Sequence, residues 1–112
     1  MVPLTPAVVH VLLSLAGGER HGYGILKDVL RQTSDRVRLG PGTLYGTLQR
    51  LMEAGWVEEC TGSARVEERR RYYRLTRSGR EALQAEVDRL DLLVRTARAQ
   101  RIVPRAAPRK QA

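Results

Sequence analysis

The chain has 112 residues, the size of one domain, and its 20 lysines and arginines outnumber 12 acidic residues to give a net charge of +8. Such a charge disfavours cationic partners and favours a polyanion such as nucleic acid. A lone cysteine, Cys60, excludes an intrachain disulfide, and no apolar run is long enough to span a membrane, so the expected location is the cytoplasm.

Two helices are predicted in the first third of the chain. The first begins with Thr5 as N-cap and Pro6 in the first turn, and it ends at Gly17 and Gly18. Its apolar residues recur at helical spacing, at Val8, Val11, Leu12 and Leu15. The second helix follows the run HGYG and has one apolar and one charged face, so its charged residues are expected in solvent. The apolar face consists of Ile25, Leu26, Val29 and Leu30, and the charged face of Lys27, Asp28 and Arg31.

A third helix is predicted after the turn GPG. Just before that turn, Val37 and Leu39 alternate with two arginines and predict a very short strand. The helix itself is predicted from about Pro41 to Ala54, with Gly55 in the left-handed conformation that closes a helix. Its core stripe consists of Leu44, Leu48, Leu51 and Met52. Its opposite face consists of Thr43, Gly46, Thr47 and Arg50.

A hairpin is predicted next, because the β-prone runs WVEEC and RRRYYRLT flank the polar segment TGSARVEE. In its second strand, Tyr73 and Leu75 share one face with Arg71, whereas Tyr72 and Arg74 face the other way. The hairpin is therefore expected to have one buried face and a long basic tip.

The last predicted element is a long helix. Ser78 and Glu81 have the spacing of a capping box, while Thr76 competes as the N-cap. If the helix continues to Ile102 it spans roughly 25 residues and about 37 Å, more than a domain of this size covers with its own core. Its apolar residues step by four and three, as in a coiled coil, at Leu83, Val87, Leu90, Val94 and Ala97. The helix is therefore expected to pack on a second copy.

This order of elements predicts a mostly α fold with a small β-hairpin, a winged helix-turn-helix with a C-terminal dimerisation helix. Residues 1–76 are predicted to form the winged-helix DNA-binding domain and residues 77–103 the dimerisation helix. Residues 104–112 hold two prolines, three basic residues and no large apolar side chain, which predicts a disordered basic tail.

The third helix is the predicted DNA-reading element. The turn GPG leaves its N-terminus uncovered, where free amides and the helix dipole favour phosphate. Gly46 either has no special role or, because it lacks a side chain, lets the backbone of the outward face of the helix approach a DNA groove. Short hydroxyls suit phosphate oxygens and thymine methyls, and the longer side chains suit bases or the DNA backbone. The expected contacts are Pro41, Gly42, Thr43, Thr47, Gln49 and Arg50.

The hairpin region is strongly basic, with seven arginines from residue 65 to residue 80 against two glutamates. A charge run is usually a solvated face, but on a hairpin tip beside a reading helix it favours DNA. Arg65, Arg69 and Arg70 are expected to reach a minor groove or phosphates, and Arg71 and Arg74 are closer to the body and suit structural roles.

The inventory of catalytic residues is thin, so no enzyme activity, metal or cofactor is expected. His10 borders the apolar stripe of helix one, where packing is favoured over catalysis, and His21 and Cys60 are the remaining soft ligands. No metal-binding or phosphate-cradling motif occurs. Cys60 is expected to be a small half-buried residue rather than an oxidation sensor.

The segments HGYGILKDV, LGPGTLYGTLQRLMEAGWVEE and RRRYYRLTRSGREAL resemble the PadR family of bacterial transcriptional repressors, in register from about Leu4 to Leu83. The single C-terminal helix resembles the short subgroup of that family. The resemblance implies a winged-helix dimer that binds a palindromic operator, with the last helix crossing to the partner and to its helix one. The dimerisation set then gains Val8 and Leu12.

The resemblance also implies DNA contacts by Tyr23 and Lys27 of helix two and by Thr43, Tyr45 and Thr47 of helix three, with Tyr45 equally suited to partial burial. Two departures matter. The family often has proline where this chain has Gly46. Drug-sensing members place an aromatic residue in the last helix, and this chain has none there, so a planar ligand is disfavoured.

Two functions are carried forward. The first is a homodimeric, sequence-specific repressor of double-stranded DNA, relieved by a small hydrophobic effector that would lie between helix one and the last helix of two chains. The alternative is a winged-helix module for protein interaction or RNA association, whose basic surface serves an acidic partner.

Overall fold

The computed structural model describes residues 4–60 and 71–102. Over these residues the predicted fold class is confirmed, because four helices surround a small antiparallel sheet. The elements are α1 (Pro6–Ala16), β1 (Arg20–His21), α2 (Gly22–Gln32), α3 (Pro41–Glu53), β2 (Val57–Cys60), β3 (Tyr72–Leu75) and α4 (Arg77–Ala99). The predicted wing tip and basic tail lie outside the described residues, and the division into domains stays a prediction.

The predicted helix ends are confirmed for α1 and α3. The side chain of Thr5 accepts a hydrogen bond of 3.3 Å from the Val8 amide, and Pro6 lies in the first turn, where no intrahelical donor is lost. At the end of α3, Gly55 has φ 81°, a left-handed conformation that a residue with a Cβ adopts only at a cost. The chain therefore turns sharply from α3 into the hairpin.

The short strand was predicted in the wrong place. Val37 and Leu39 are half-buried against the core but form no strand, because no neighbouring strand pairs with them in the described structure. The short strand is β1 instead, where Arg20 and His21 pair with β3, so the sheet has the order β1-β3-β2. Arg20 and the first residue of the HGYG motif, His21, thus extend the two-stranded wing to three strands.

The predicted exposed charge of α2 is wrong at Asp28, which is only 6% exposed. Its carboxylate accepts a hydrogen bond of 3.0 Å from the Gln32 side chain and forms ion pairs with Arg31 and, at 3.8 Å, with Arg20. Burial raises the pKa of Asp28, but hydrogen bonding and the two guanidinium charges outweigh burial and hold the pKa below its ordinary value. The buried carboxylate is therefore satisfied by partners from the last turn of α2 and from β1.

Replacement of this carboxylate by Asp28→Asn is expected to lower the free energy of unfolding by about 1–2 kcal/mol at pH 7. Because the native pKa lies below that of the unfolded chain, the stabilisation is complete above about pH 5 and is lost as the pH falls through the native pKa. The difference between Asp28→Asn and wild type should therefore shrink at pH 3. Urea unfolding at both pH values measures this, and an equal difference at both would contradict the ionic origin.

The N-terminus of α4 is joined to the turn that precedes β2. The capping box at Ser78 was wrong and the competing assignment is confirmed, because Thr76 caps α4 by accepting a 3.0 Å hydrogen bond from the Gly79 amide. The Thr76 amide in turn donates to the Trp56 carbonyl oxygen at 3.0 Å, and its hydroxyl donates to the Gly55 carbonyl oxygen at 2.6 Å. Gly79 lies against the same carbonyl, because a Cβ there would be 1.9 Å from the Trp56 oxygen.

The core is mostly aliphatic, with Tyr73 of β3 buried in it as well, and it is shared by all four helices and the hairpin strands. Val8 and Leu12, predicted for the dimer interface, are 4% and 0% exposed within the chain itself. Their assignment to dimerisation is wrong, because α1 turns this face towards its own core and not towards a partner. None of the helices in residues 4–60 and 71–102 combines the length and the hydrophobicity that a bilayer crossing requires.

Candidate nucleic-acid interface

The N-terminus of α3 is exposed on its outer side, as predicted from the turn GPG. Gly40 is the N-cap and has no side chain to hydrogen-bond the first amides, and Pro41 occupies the first turn. Gly42, Thr43 and the side chain of Tyr45 are exposed as well. The helix therefore offers free amides, the positive end of its dipole and two hydroxyls on one uncovered surface.

Thr47 does not belong to this surface. The prediction that it lies on the outward face is wrong, because it is 6% exposed and lies beside the buried Leu48. A helical step of 100° per residue puts residue 47 three positions after Leu44 and four before Leu51, both fully buried, so its hydroxyl is turned inward. Gly46, in contrast, is exposed, and a Cβ there would meet open space.

The second half of α3 carries the two longer candidate side chains. Gln49 is exposed and donates a hydrogen bond of 3.2 Å to the carboxylate of Glu53. Arg50 is exposed in the last turn of the helix and forms no ion pair with any residue of the described ranges. Gln49 can exchange its surface partner for a base edge, and Arg50 has a guanidinium available for phosphate or guanine.

Tyr23 and Lys27 lie one turn apart on the exposed side of α2. Tyr23 is 61% exposed, and the Lys27 ammonium lies 5.4 Å from the centroid of the Tyr23 ring. A cation above an aromatic face at this distance is attracted to the ring, which limits the positions that the lysine side chain adopts. The two residues thus form a small basic and aromatic surface next to the N-terminus of α2.

A pocket of about 170 Å³ lies where α2, α3 and the hairpin meet, lined by His21, Gly22, Tyr23, Tyr45 and Arg71. Two of its lining residues, Gly22 and Tyr45, are in close contact, because a Cβ at Gly22 would lie 2.3 Å from the Tyr45 hydroxyl oxygen. The sequence-based prediction placed neither His21 nor Gly22 in the site. The glycines of the HGYG run are the sequence signal from which such a close approach could have been predicted.

His21 has a structural role at the edge of this pocket. Its Nδ1 accepts a hydrogen bond of 3.1 Å from the Gly24 amide, so the imidazole caps α2. Its ring stacks on Tyr23 and meets Tyr72 edge-on at a centroid distance of 5.4 Å. The cap, the stack and the edge contact together fix the start of α2 against the third strand.

The wing is only partly described. Arg65, Arg69 and Arg70, the predicted wing contacts, lie outside the described residues. Arg71 pairs with Glu59 at 3.4 Å and Arg74 with Glu58 at 2.7 Å across the two strands of the hairpin. The structural role predicted for these two arginines is confirmed, because each neutralises an acid on the neighbouring strand.

The apolar face of α4 is open beyond the core. Leu83 is buried in the chain itself, whereas Val87 and Val94 of the predicted seam are 39% and 41% exposed. Leu92 and Leu93, which the seam did not include, are 57% and 55% exposed. Leu90 and Ala97 are half-buried. The seam thus holds one residue of the chain's own core and several apolar residues without cover from the described chain.

No cluster of three potential metal ligands occurs within residues 4–60 and 71–102. His10 has the packing role favoured from the sequence, since its Nδ1 lies 2.8 Å from the Gln32 side-chain oxygen. Cys60 is half-buried at the end of β2, as expected, and burial raises the pKa of its thiol above the ordinary value. A thiol held protonated in this way is a poor nucleophile.

Comparison with known proteins points to a single family. Residues 11–85 match the transcriptional regulator PadR-like family. The transcriptional regulator Rv3488 of Mycobacterium tuberculosis is 36% identical over 89 residues, which cover 78% of each chain. Of two other curated relatives that it matches, the chain spans 20% and 60% of the length.

Solved structures show the same fold. A transcriptional regulator from Clostridium thermocellum has a TM-score of 0.70 at 26% identity, over 83% of this chain and 87% of that one. Bacillus subtilis PadR, crystallised in complex with operator DNA, has a TM-score of 0.64 at 19% identity, over 98% of this chain and 53% of that one. The second likeness concerns the fold alone. Since the family match covers more than half of the chain, this protein belongs to the PadR-like family of transcriptional regulators, as its sequence motifs suggested, and that family is not one of enzymes.

Proposed function

We propose that the chain is a homodimeric, cytoplasmic repressor that binds a palindromic operator in double-stranded DNA. The observation that carries this proposal is the uncovered start of α3, whose free amides, Thr43 and Tyr45 face solvent together. An α-helix presented in this way fits the major groove, and the helix dipole favours the phosphates at its edge. Tyr23 and Lys27 of α2 contact the DNA backbone next to that groove.

Dimerisation supplies the second reading helix. The seam residues of α4 that the described chain leaves exposed, Val87 and Val94, pack on the same residues of a second copy, which removes them from water in a twofold-symmetric interface. Two α3 helices related by such an axis meet half-sites about 10 base pairs, or roughly 34 Å, apart. A dimer that neutralises six phosphates or more gives a log–log dependence of affinity on salt with a slope of about −5 or steeper.

Selection of bound fragments from random duplex DNA, followed by titration at several salt concentrations, tests the proposal. A palindromic consensus and a steep negative slope are the expected results. Binding of RNA or of an acidic protein in preference to duplex DNA would favour the alternative module. Binding without salt dependence would rule out the phosphate contacts altogether.

The base-reading role of α3 has a matched internal control. Gln49→Ala is expected to lower affinity for the selected operator about tenfold while leaving binding to random duplex unchanged, because an amide reads a base edge and not the DNA backbone. Gln84 on α4 is also exposed and donates to an acid four residues later, at 3.0 Å to Asp88, so Gln84→Ala should change neither. Equal losses on both DNAs in the Gln49→Ala titration would contradict base reading.

Relief by a small hydrophobic effector also belongs to this proposal, with a narrower set of lining residues than the sequence suggested. Val8 and Leu12 are committed to the core of the chain itself, so the effector would lie between copies of α4, along Leu90 and Val94. Exposed or half-buried apolar side chains such as these suit an apolar ligand. Dissociation of the selected operator by candidate lipophilic compounds measures this part of the proposal.

A further inference from the structure

Two arginines outside the site described above lie directly before α3. In the connection from α2 to α3, Arg36 and Arg38 are exposed, while Val37 and Leu39 between them are half-buried and packed against the core. Alternation of this kind in an extended segment turns both arginines to the same outer side. Their Cα atoms are then about 6.6 Å apart, and two arginine side chains at this spacing can reach neighbouring phosphates of one DNA strand.

The backbone that carries the two arginines is held in place. Ser34 and Asp35 have φ of 53° and 66°, a left-handed conformation that is unfavourable for a residue with a Cβ and persists only where neighbours enforce it. The Asp35 amide donates to the Leu30 carbonyl oxygen at 2.8 Å. The Thr33 hydroxyl donates to the Val29 carbonyl oxygen at 2.8 Å and accepts from the Val37 amide at 3.1 Å.

Arg36 and Arg38 have no ion-pair partner among residues 4–60 and 71–102. Seven other arginines form ion pairs within the described residues, namely Arg20, Arg31, Arg71, Arg74, Arg77, Arg89 and Arg95. Two like charges fixed side by side repel one another, so an anionic partner lowers the free energy of this segment. The fixed spacing makes that partner a row of anions and not a single one.

The location of the segment decides which partner fits. Gly42 lies four residues beyond Arg38, and each residue of chain spans at most about 3.6 Å. The Cα atom of Arg38 therefore lies within about 14 Å of that of Gly42, at the uncovered start of α3. We infer that Arg36 and Arg38 bind consecutive backbone phosphates of the DNA strand bordering the groove that α3 enters. This inference rests on the proposed function, and it adds a contact that neither the reading helix nor the wing provides.

Neutralisation of single phosphates tests the inference. The selected operator, or a random 30-base-pair duplex if selection gives no consensus, is prepared with one methylphosphonate at a time along each strand. Wild type should lose affinity about fivefold at one or two positions beside the groove contacted by α3. At one of these positions the affinity of Arg38→Ala should not change when the phosphate is replaced by a methylphosphonate, because the arginine that contacts this phosphate is already absent. At the other positions the variant should lose affinity as wild type does.

Salt titration gives a second measurement on the same variants. Each dimer loses two phosphate contacts in Arg38→Ala or Arg36→Ala, so the log–log slope should become shallower by about 2. Arg38→Lys retains the charge and should retain the slope. Arg98→Ala is the control, because Arg98 is exposed and without an ion pair in the described chain, but lies 19 residues beyond Gly79, about 28 Å along α4.

The outcomes are distinguishable. Wild type that binds no duplex overturns the proposed function, and this inference with it. Wild type that binds, with Arg38→Ala responding to every methylphosphonate as wild type does, overturns this inference alone. So does a loss in Arg98→Ala equal to that in Arg38→Ala, which would reduce the effect to net charge. Unchanged DNA binding with a loss of binding to polyglutamate would assign the arginines to an acidic protein and would equally overturn it.

Discussion

Gly79→Ala is expected to lower the free energy of unfolding by about 3 kcal/mol or more, the largest effect expected for a methyl group added at any glycine of the described residues. The added Cβ would lie 1.9 Å from the Trp56 carbonyl oxygen and 2.8 Å from its carbonyl carbon. These atoms belong to the backbone, and that oxygen already accepts the Thr76 amide, so neither side can give way without losing the cap of α4. Urea unfolding followed by circular dichroism measures the loss.

Gly46→Ala is the control for this experiment. Gly46 lies within α3, and a Cβ there would meet nothing within 4 Å, so the substitution should stabilise the chain by about 0.5–1 kcal/mol through helix propensity. If Gly79→Ala unfolds like Gly46→Ala, then α4 separates from the Trp56 carbonyl in solution. The same control variant should weaken operator binding if the backbone of α3 approaches the groove closely.

Val94→Glu is expected to convert the proposed dimer into a monomer and to lower affinity for a full palindrome by a factor of about 100 or more. Val94 is 41% exposed on the part of α4 that extends beyond the core, so the new charge disturbs the seam and not the fold of the chain. In a dimer the substitution would bury two like charges, so we expect the dimer to dissociate. A monomer loses the increase in affinity, a factor of about 10²–10⁴, that comes from binding two half-sites together. Sedimentation equilibrium and titration of one and two half-sites measure both effects.

Leu92→Glu is the matched control, since Leu92 is 57% exposed on the same helix but faces away from Val94. It should leave the dimer and its affinity for the palindrome intact. A dimeric Val94→Glu chain would show that the seam is wrongly assigned. Dissociation by Leu92→Glu alone would place the interface on the opposite face of α4.

The sequence predicted the four helices and the hairpin because their signals are local. The N-cap at Thr5 and the left-handed Gly55 depend on residues within one or two turns of chain, and helical spacing identified most of the core. The seam residue Leu83 was placed on the right face of α4, although it serves the core of its own chain.

The errors share a different cause, which is contact with a distant segment. Asp28 was assigned to solvent because its neighbours on α2 are charged, whereas Arg20 approaches from β1 and, together with Arg31 and Gln32, compensates the burial of its carboxylate. Thr47 was assigned to the face opposite the leucine stripe and to the DNA contacts that the family resemblance implies, whereas the packing of α3 turns it inward. The capping box was assigned to Ser78, whereas in the structure Thr76 is the N-cap. Thr76 also donates a hydrogen bond to the carbonyl oxygen of Gly55, 21 residues earlier in the chain, which local sequence does not indicate.

The hydrogen bonds from Thr76 to the Gly55 and Trp56 carbonyl oxygens fix the start of α4 against the turn after α3. Because α4, which we call the arm, is long, a small change of angle at this junction, which we call the elbow, becomes a large displacement at the far end of the arm. The arm, α4, has 23 residues and a length of about 34 Å. A tilt of about 5° at the elbow moves the far end of such an arm by about 3 Å, nearly the 3.4 Å rise of one base pair. The angle at which two arms cross in the proposed dimer therefore sets the number of base pairs between the half-sites. Anything that changes this angle by a few degrees changes which operator the dimer fits.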